Sequence, residues 1–175
     1  MDQQIILACD DQGNFLEYIP KEVGHTGEGK HHLAITTLLI NSQGKVLLQK
    51  RRHKRFDGLW DLTGATDLYH LENGKDESFE DATLRCLKRE YGIEDVKLKN
   101  LGGFNYFAKW GEYCENEYCV MMVGEYDGEV KMDPNVGYGF KWVSKEEFLK
   151  DIETNPQSYT PWAIEGTKFL KKVLI

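Results

Sequence analysis

Glu77-Ser-Phe-Glu-Asp-Ala-Thr-Leu-Arg85-Cys-Leu-Lys-Arg-Glu90-Tyr-Gly-Ile93 is the most strongly organised stretch of this 175-residue chain. Acidic residues fill its first turn and basic residues its last, which opposes the helix dipole at both ends. Asp76 or Ser78 can accept the first free backbone N–H groups, and Gly92 stands where a helix closes in the left-handed conformation. The stretch reads as a helix over Glu77–Tyr91 that carries Arg85, Arg89 and Glu90 on its last turns.

On both sides of this helix the pattern turns to strands. Ile5–Ala8 and Phe15–Ile19 flank Asp10-Asp-Gln-Gly13 and read as a hairpin. The apolar and β-branched run Leu33–Ile40 turns through Asn41-Ser-Gln-Gly44 into Lys45–Arg51, whose end is a basic cluster. Strands are expected again around Leu98–Phe107, Tyr118–Tyr126 and Phe140–Val143. Ser144 opens a short acidic helix ending before Pro156, and Thr160-Pro161 caps a last helix bearing Trp162, Ile164, Phe169, Leu170 and Val173. Strands outnumber helices and do not alternate with them, so the class is α+β. No repeat or linker divides the chain, and residues 1–175 read as one domain.

With 41% hydrophobic and 12% aromatic residues, the chain has enough apolar surface to fold, which excludes a disordered polymer. A net charge of −7 argues against nucleic acid as a partner, because a phosphate backbone demands an excess of Lys and Arg. A small anionic substrate stays compatible, since a local basic patch or a bound cation outweighs the global charge. Cys9, Cys86, Cys114 and Cys119 form no C-x-x-C pair and read as reduced thiols. No apolar run is long enough for a membrane span, and the start has no signal-like segment, so the expected location is the cytoplasm. Oligomeric state has no signature in the sequence.

The helical stretch resembles the Nudix box, G-x5-E-x7-R-E-U-x-E-E-x-G-U, where U is a bulky aliphatic residue. Glu77, Arg85, Leu87, Glu90, Gly92 and Ile93 match it, while Cys86 and Arg89 stand where the box has glutamates, and the box glycine falls near Gly64–Ala65. Beyond the box, His25-Thr26, His32-Leu33-Ala34, Arg51-Arg52, Glu115-Asn116-Glu117 and Pro161-Trp162 resemble type 1 isopentenyl diphosphate isomerases, in the same order over nearly the whole chain. The resemblance implies a Nudix fold, a mixed β-sheet sandwiched between helices.

It also implies a metal site. His25, His32, Glu115 and Glu117 fall on positions that bind one divalent metal in that family, and Asp67 or His70 falls on a fifth. Residues 115 and 117 of a strand face the same way, so both carboxylates can converge on one ion. Mixed imidazole and carboxylate ligation suits Mg²⁺ or Mn²⁺, with Zn²⁺ also compatible. Glu90 is implied to hold a Mg²⁺ that bridges two phosphate oxygens. Arg51, Lys54 and Arg55 supply cations for a diphosphate, and Tyr106 and Trp162 fall on aromatic pocket positions, where cation–π contact is available. The departure is the catalytic cysteine, whose position falls within Gly64–Thr66, where Ala65 or Thr66 offers no thiol. Double-bond isomerisation needs an acid and a base on opposite faces of the substrate, and one is missing. The expected activity is therefore metal-dependent hydrolysis of a small nucleoside or prenyl diphosphate, with Glu90 and Glu117 as catalytic carboxylates. A divergent isomerase and a non-catalytic diphosphate-binding module are the alternatives.

Overall fold

The structure, a computed structural model, describes residues 4–173. In chain order the elements are β1 (Ile5–Cys9), β2 (Phe15–Pro20), α1 (Lys21–His25), β3 (His32–Ile40), β4 (Lys45–Arg51), the short strands β5 (Trp60–Asp61), β6 (Gly64–Asp67) and β7 (Tyr69–His70), then α2 (Phe79–Tyr91). β8 (Leu98–Trp110), β9 (Tyr113–Glu125), β10 (Gly137–Ser144), α3 (Lys145–Thr154) and α4 (Pro161–Val173) complete it.

β3 is the centre of the sheet, and all of it but Ile40 is buried. β9 runs parallel along one side, from His32↔Glu117 to Ile40↔Glu125. β6 pairs antiparallel along the other, with Ala34 opposite Asp67. Helices cover both faces, which is why β3 reads as a continuous apolar and β-branched run, with Thr36 and Thr37 buried at its centre, rather than an alternation. Leu33, Ile35 and Leu39 pack toward α2, beside Ala82, Leu87 and Tyr91. Leu38 packs with Met121, Phe148, Ile152 and Ala163, the face covered by α3 and α4. Each fully buried Leu or Ile here contributes roughly 1.5–3 kcal/mol, so the two-sided burial of β3 fixes its register. This is the α+β class, a mixed sheet between helices, expected from the sequence.

α2 departs from expectation at its start. Ser78 is the cap: its Oγ accepts from the Asp81 N–H at 3.0 Å, and Asp81 accepts from the Ser78 N–H at 3.2 Å. Asp76 instead meets His70 and Tyr18. Glu77 therefore lies before the helix, free to turn inward. β8 and β9 are longer than expected, because Gly111, at φ 59°, lets them continue to a tight turn. The extension places Glu115 and Glu117 inside a strand. α1 and β5 to β7 lack periodicity of their own and are defined by their neighbours. No helix among the described residues is long and apolar enough to cross a membrane.

Candidate active site

Strand register brings the first functional residues together. His32 on β3 is directly paired with Glu117 on β9, and Glu117 is in turn paired with Tyr106 on β8, whose hydroxyl donates to its Oε2 at 2.5 Å. β6 delivers Asp67 from the opposite side of β3, and α1 ends on His25. His25, His32, Asp67 and Glu117 are all buried, each with a ligand atom within 4.8 Å of the others. Glu115, two residues before Glu117 and on the same face, reaches His25 Nδ1 at 2.9 Å and Arg55 Nε at 3.1 Å. His31 turns the other way, toward Asn105 and Asn116.

The chemistry of this donor set fits a divalent cation. His32 Nδ1 stands 2.7 Å from the Lys30 carbonyl oxygen, which places the ring proton of the neutral imidazole there. Its Nε2 is buried without a hydrogen-bond partner and faces Asp67 and Glu117 at 3.3 and 3.6 Å. A lone pair aimed at carboxylates is stable only with a proton or a metal ion between them. Without a cation, protons fill the role. Burial opposes charge on His25 and His32, but the carboxylates around them prevail and raise their pKa values to about 9 and about 10. Burial likewise opposes the charge of Glu115, yet His25 and Arg55 hold its pKa down at about 2. Asp67 is also depressed, against its burial, by Lys21 and His25. Glu117 is raised by burial, with Glu115 adding to the effect.

A cleft of about 310 Å³ opens over the cluster. Arg51, Arg52 and Arg55 line it from the end of β4 and the loop that follows, and Lys21 reaches in from α1 to pair with Asp67 at 2.8 Å. That loop turns at Phe56, the one non-glycine residue with positive φ (54°) among the described residues. Phe56 is held in this strained conformation between Trp110 and Trp162, at ring separations of 5.1 and 5.3 Å. Its packing turns Arg55 inward. Arg51 lies over Trp162 at 4.9 Å, and Asp61, fully buried, accepts from Trp162 Nε1 at 2.9 Å and from the Thr160 hydroxyl at 3.0 Å. Glu90 enters from α2, its carboxylate accepting from Gln49 at 2.8 Å and Arg89 at 2.5 Å.

Two expected site residues lie elsewhere. His70 is withdrawn by its contacts on β7, with Nδ1 2.6 Å from Asp76 and the ring 4.2 Å from that of Tyr18, so of the two candidates only Asp67 joins His25, His32 and Glu117. Lys54 extends over the Tyr113 ring, 4.9 Å from its centroid, and is not part of the cleft wall. Arg51, Arg55, Tyr106, Trp162 and Glu90 do line the cleft. Sequence reading missed Lys21, Gln49, His53 and Asp61. Only Lys21 left a usable signal, its i,i+4 spacing to His25 on the same short helix.

The cleft floor holds Ala65, paired with Thr36. The Thr66 hydroxyl is taken up by Arg85 at 3.3 Å and the Asp67 carbonyl at 3.4 Å. Cys86 is a thiol beneath this floor, its Sγ 3.8 Å from the Ala65 carbonyl oxygen. It has no exposed surface, and burial pushes its pKa well above the usual thiol range.

The NUDIX domain family matches residues 30–163. A relative from Paenarthrobacter aurescens, named isopentenyl-diphosphate Delta-isomerase, is 31% identical over 163 residues, covering 91% of this chain and 86% of its own. Among solved structures, a Deinococcus radiodurans protein superimposes with a TM-score of 0.71 at 15% identity, covering 98% of this chain and 99% of its own. A MutT NUDIX hydrolase from Burkholderia pseudomallei gives 0.59 at 18% identity, covering 77% and 93%. At those identities the two structures speak to fold alone.

Proposed function

The chain belongs to the Nudix superfamily and, within it, to the isopentenyl diphosphate isomerase-like proteins, and from that premise we propose that it is a divalent-metal-dependent hydrolase of a small diphosphate compound, nucleoside or prenyl. Ala65 carries this reading. It puts a methyl group on the cleft floor beside a buried imidazole–carboxylate cluster, with the nearby Thr66 hydroxyl engaged and the Cys86 thiol sealed below. An allylic proton shift needs a donor there, whereas hydrolysis does not.

Mg²⁺ or Mn²⁺ held by His25, His32, Asp67, Glu115 and Glu117 would polarise phosphate oxygens and acidify a water. Arg51 and Arg55 bind the diphosphate, and their planar guanidinium groups match its oxygens. Trp162 and Tyr106 wall off the organic part of the substrate and exclude bulk water. Glu90 or Glu117 takes a proton as the water oxygen bonds to phosphorus, and the anhydride or ester oxygen departs with the electron pair. Replacing either by Gln is expected to lower turnover roughly 100-fold, the ordinary scale of a lost general base. Full activity in both variants on the true substrate would remove the assignment.

A second reading, a divergent isomerase, is supported by the name of the Paenarthrobacter aurescens relative. Incubation with Mg²⁺ or Mn²⁺ and isopentenyl diphosphate, followed by proton and phosphorus NMR in one sample, separates the two. Phosphate release without double-bond migration supports the hydrolase. Migration at an enzymatic rate establishes the isomerase instead, and silence in both channels sends the assay to nucleoside diphosphates.

A further inference from the structure

His53 lines the cleft between Arg51 and Arg55 and belongs neither to the ligand cluster nor to the arginine set. Its backbone is pinned, since its N–H donates to Asp57 Oδ1 at 3.1 Å. Its ring is pinned as well: the Arg55 backbone N–H points at His53 Nδ1 at 3.1 Å. A peptide N–H can only donate, so Nδ1 is the bare nitrogen and the ring proton sits on Nε2. Among the described residues, Nε2 has no hydrogen-bond partner. The charged groups facing the ring are Arg51, Arg55, Asp57 and Glu115. Partial enclosure of the ring by the cleft wall, with the two guanidinium groups adding to it, lowers its pKa from 6.5 to about 4 although one side of the residue stays open to solvent. The result is a neutral imidazole in a cationic part of the cleft, with one uncommitted donor.

We propose that His53 is a further substrate-binding residue, which donates its Nε2–H to a diphosphate oxygen held between Arg51 and Arg55. The inference rests on the cleft being a diphosphate site. A cation at this position would attract the anion too, but the Arg55 N–H already occupies the nitrogen that would have to take the second proton. His53 is thus a directional donor whose strength does not change as pH crosses the usual histidine range. An uncharged imidazole donor is an established solution where a fixed protonation state is needed.

The test is calorimetric titration of the full chain with methylenediphosphonate, a non-hydrolysable P–C–P diphosphate, in the presence of Mg²⁺. His53 is exposed, so replacement leaves the core intact. His53→Gln places an amide N–H near the position of Nε2 and is expected to keep wild-type affinity. His53→Asn, whose amide reaches only as far as Nδ1, and His53→Ala are expected to bind roughly 10-fold more weakly, the loss of one hydrogen bond to a charged acceptor. Nitrogen NMR of the ring should show a bare Nδ1 and no titration from about pH 5 to 8. Unchanged binding by His53→Ala, equal loss in His53→Gln, or a ring that titrates in that interval would overturn the role of His53 while leaving the diphosphate site standing. Failure of the wild-type protein to bind the probe would overturn the diphosphate reading itself, and this inference with it.

Discussion

Asp61 has no exposed surface, yet it carries a carboxyl group that ties Thr160, Trp162 and Arg51 together. Burial raises its pKa from 3.8 to about 6, against the pull of Arg51, 3.8 Å away, and of its hydrogen-bond donors. The folded state therefore binds the proton more tightly than the unfolded chain does. Stability falls as pH rises from about 4 to about 6 and stays lower above that, by roughly 3 kcal/mol if the whole shift is expressed. Asp61→Asn has no charge to bury, but it offers one oxygen where Asp61 accepts from the Leu62 N–H, the Thr160 hydroxyl and Trp162 Nε1, so a lost hydrogen bond offsets part of the gain. Measured against wild type it should fare better at pH 7 than near pH 4, and bind a diphosphate more weakly because Arg51 loses its guide. Denaturant titrations at the two pH values check this, and a variant uniformly less stable at both would show that the carboxylate is a net stabiliser. No sequence signal marked Asp61, because its role depends on Trp162, a hundred residues away in the chain. Glu115, Glu117, His25 and His32 were legible because family spacing groups them. Asp67 could not be separated from His70, since either can ligate and only the pairing of β6 with β3 decides.

At the scale of elements, α2 shows what local patterning encodes well. Charge order, a capping residue and a terminal glycine are all short-range effects; the helix ends where they place it and starts at Phe79, two residues later than the charge pattern suggests. The short strands after β4 and the five-residue α1 were illegible, since nothing within their own few residues specifies them. Ser78 ends the chain's freedom before α2, so Ser78→Ala should cost about 1 kcal/mol, read as a lower denaturant midpoint with unchanged slope. Arg85 has a wider reach. It grips Glu77 through Nε at 2.6 Å and Nη2 at 2.9 Å, donates to the Asp67 carbonyl at 2.9 Å, and lies 4.1 Å from the centre of the Tyr69 ring. The helix thereby holds the end of β6, which presents Asp67. Lysine keeps the charge but loses the planar fork, so Arg85→Lys should destabilise by about 2–3 kcal/mol and weaken Mn²⁺ binding while leaving every ligand side chain in place. A variant that loses stability but binds Mn²⁺ as well as wild type would confine Arg85 to the fold.

The molecule as a whole is a clamp of strands and helices closed on buried charges, and the linkage between folding, protons and metal follows from that. In the metal-free protein, the folded pKa of His25 is raised from 6.5 to about 9 and that of His32 from 6.5 to about 10. Their contribution to stability is complete below about pH 6.5 and is lost as pH rises through those folded values. Glu115, lowered from 4.5 to about 2, works in the opposite sense: its contribution is present above about pH 4.5 and is lost as pH falls toward 2. A metal-free cluster is thus most stabilising on the slightly acidic side of neutrality. Metal ligation needs both imidazoles neutral, so binding at neutral pH expels protons, and affinity must climb as pH rises toward 9. Melting the protein in chelator and in excess Mn²⁺ should therefore give curves that separate little near pH 6 and widely near pH 9. At a hundredfold excess over Kd the stabilisation is about 2.7 kcal/mol, which for a chain of this size is roughly 5–10 °C. Asp67→Asn and His32→Ala should remove the separation at every pH. A separation of equal size at pH 6 and pH 9 would mean that the ion binds without displacing protons from His25 and His32, and so binds somewhere other than this cluster.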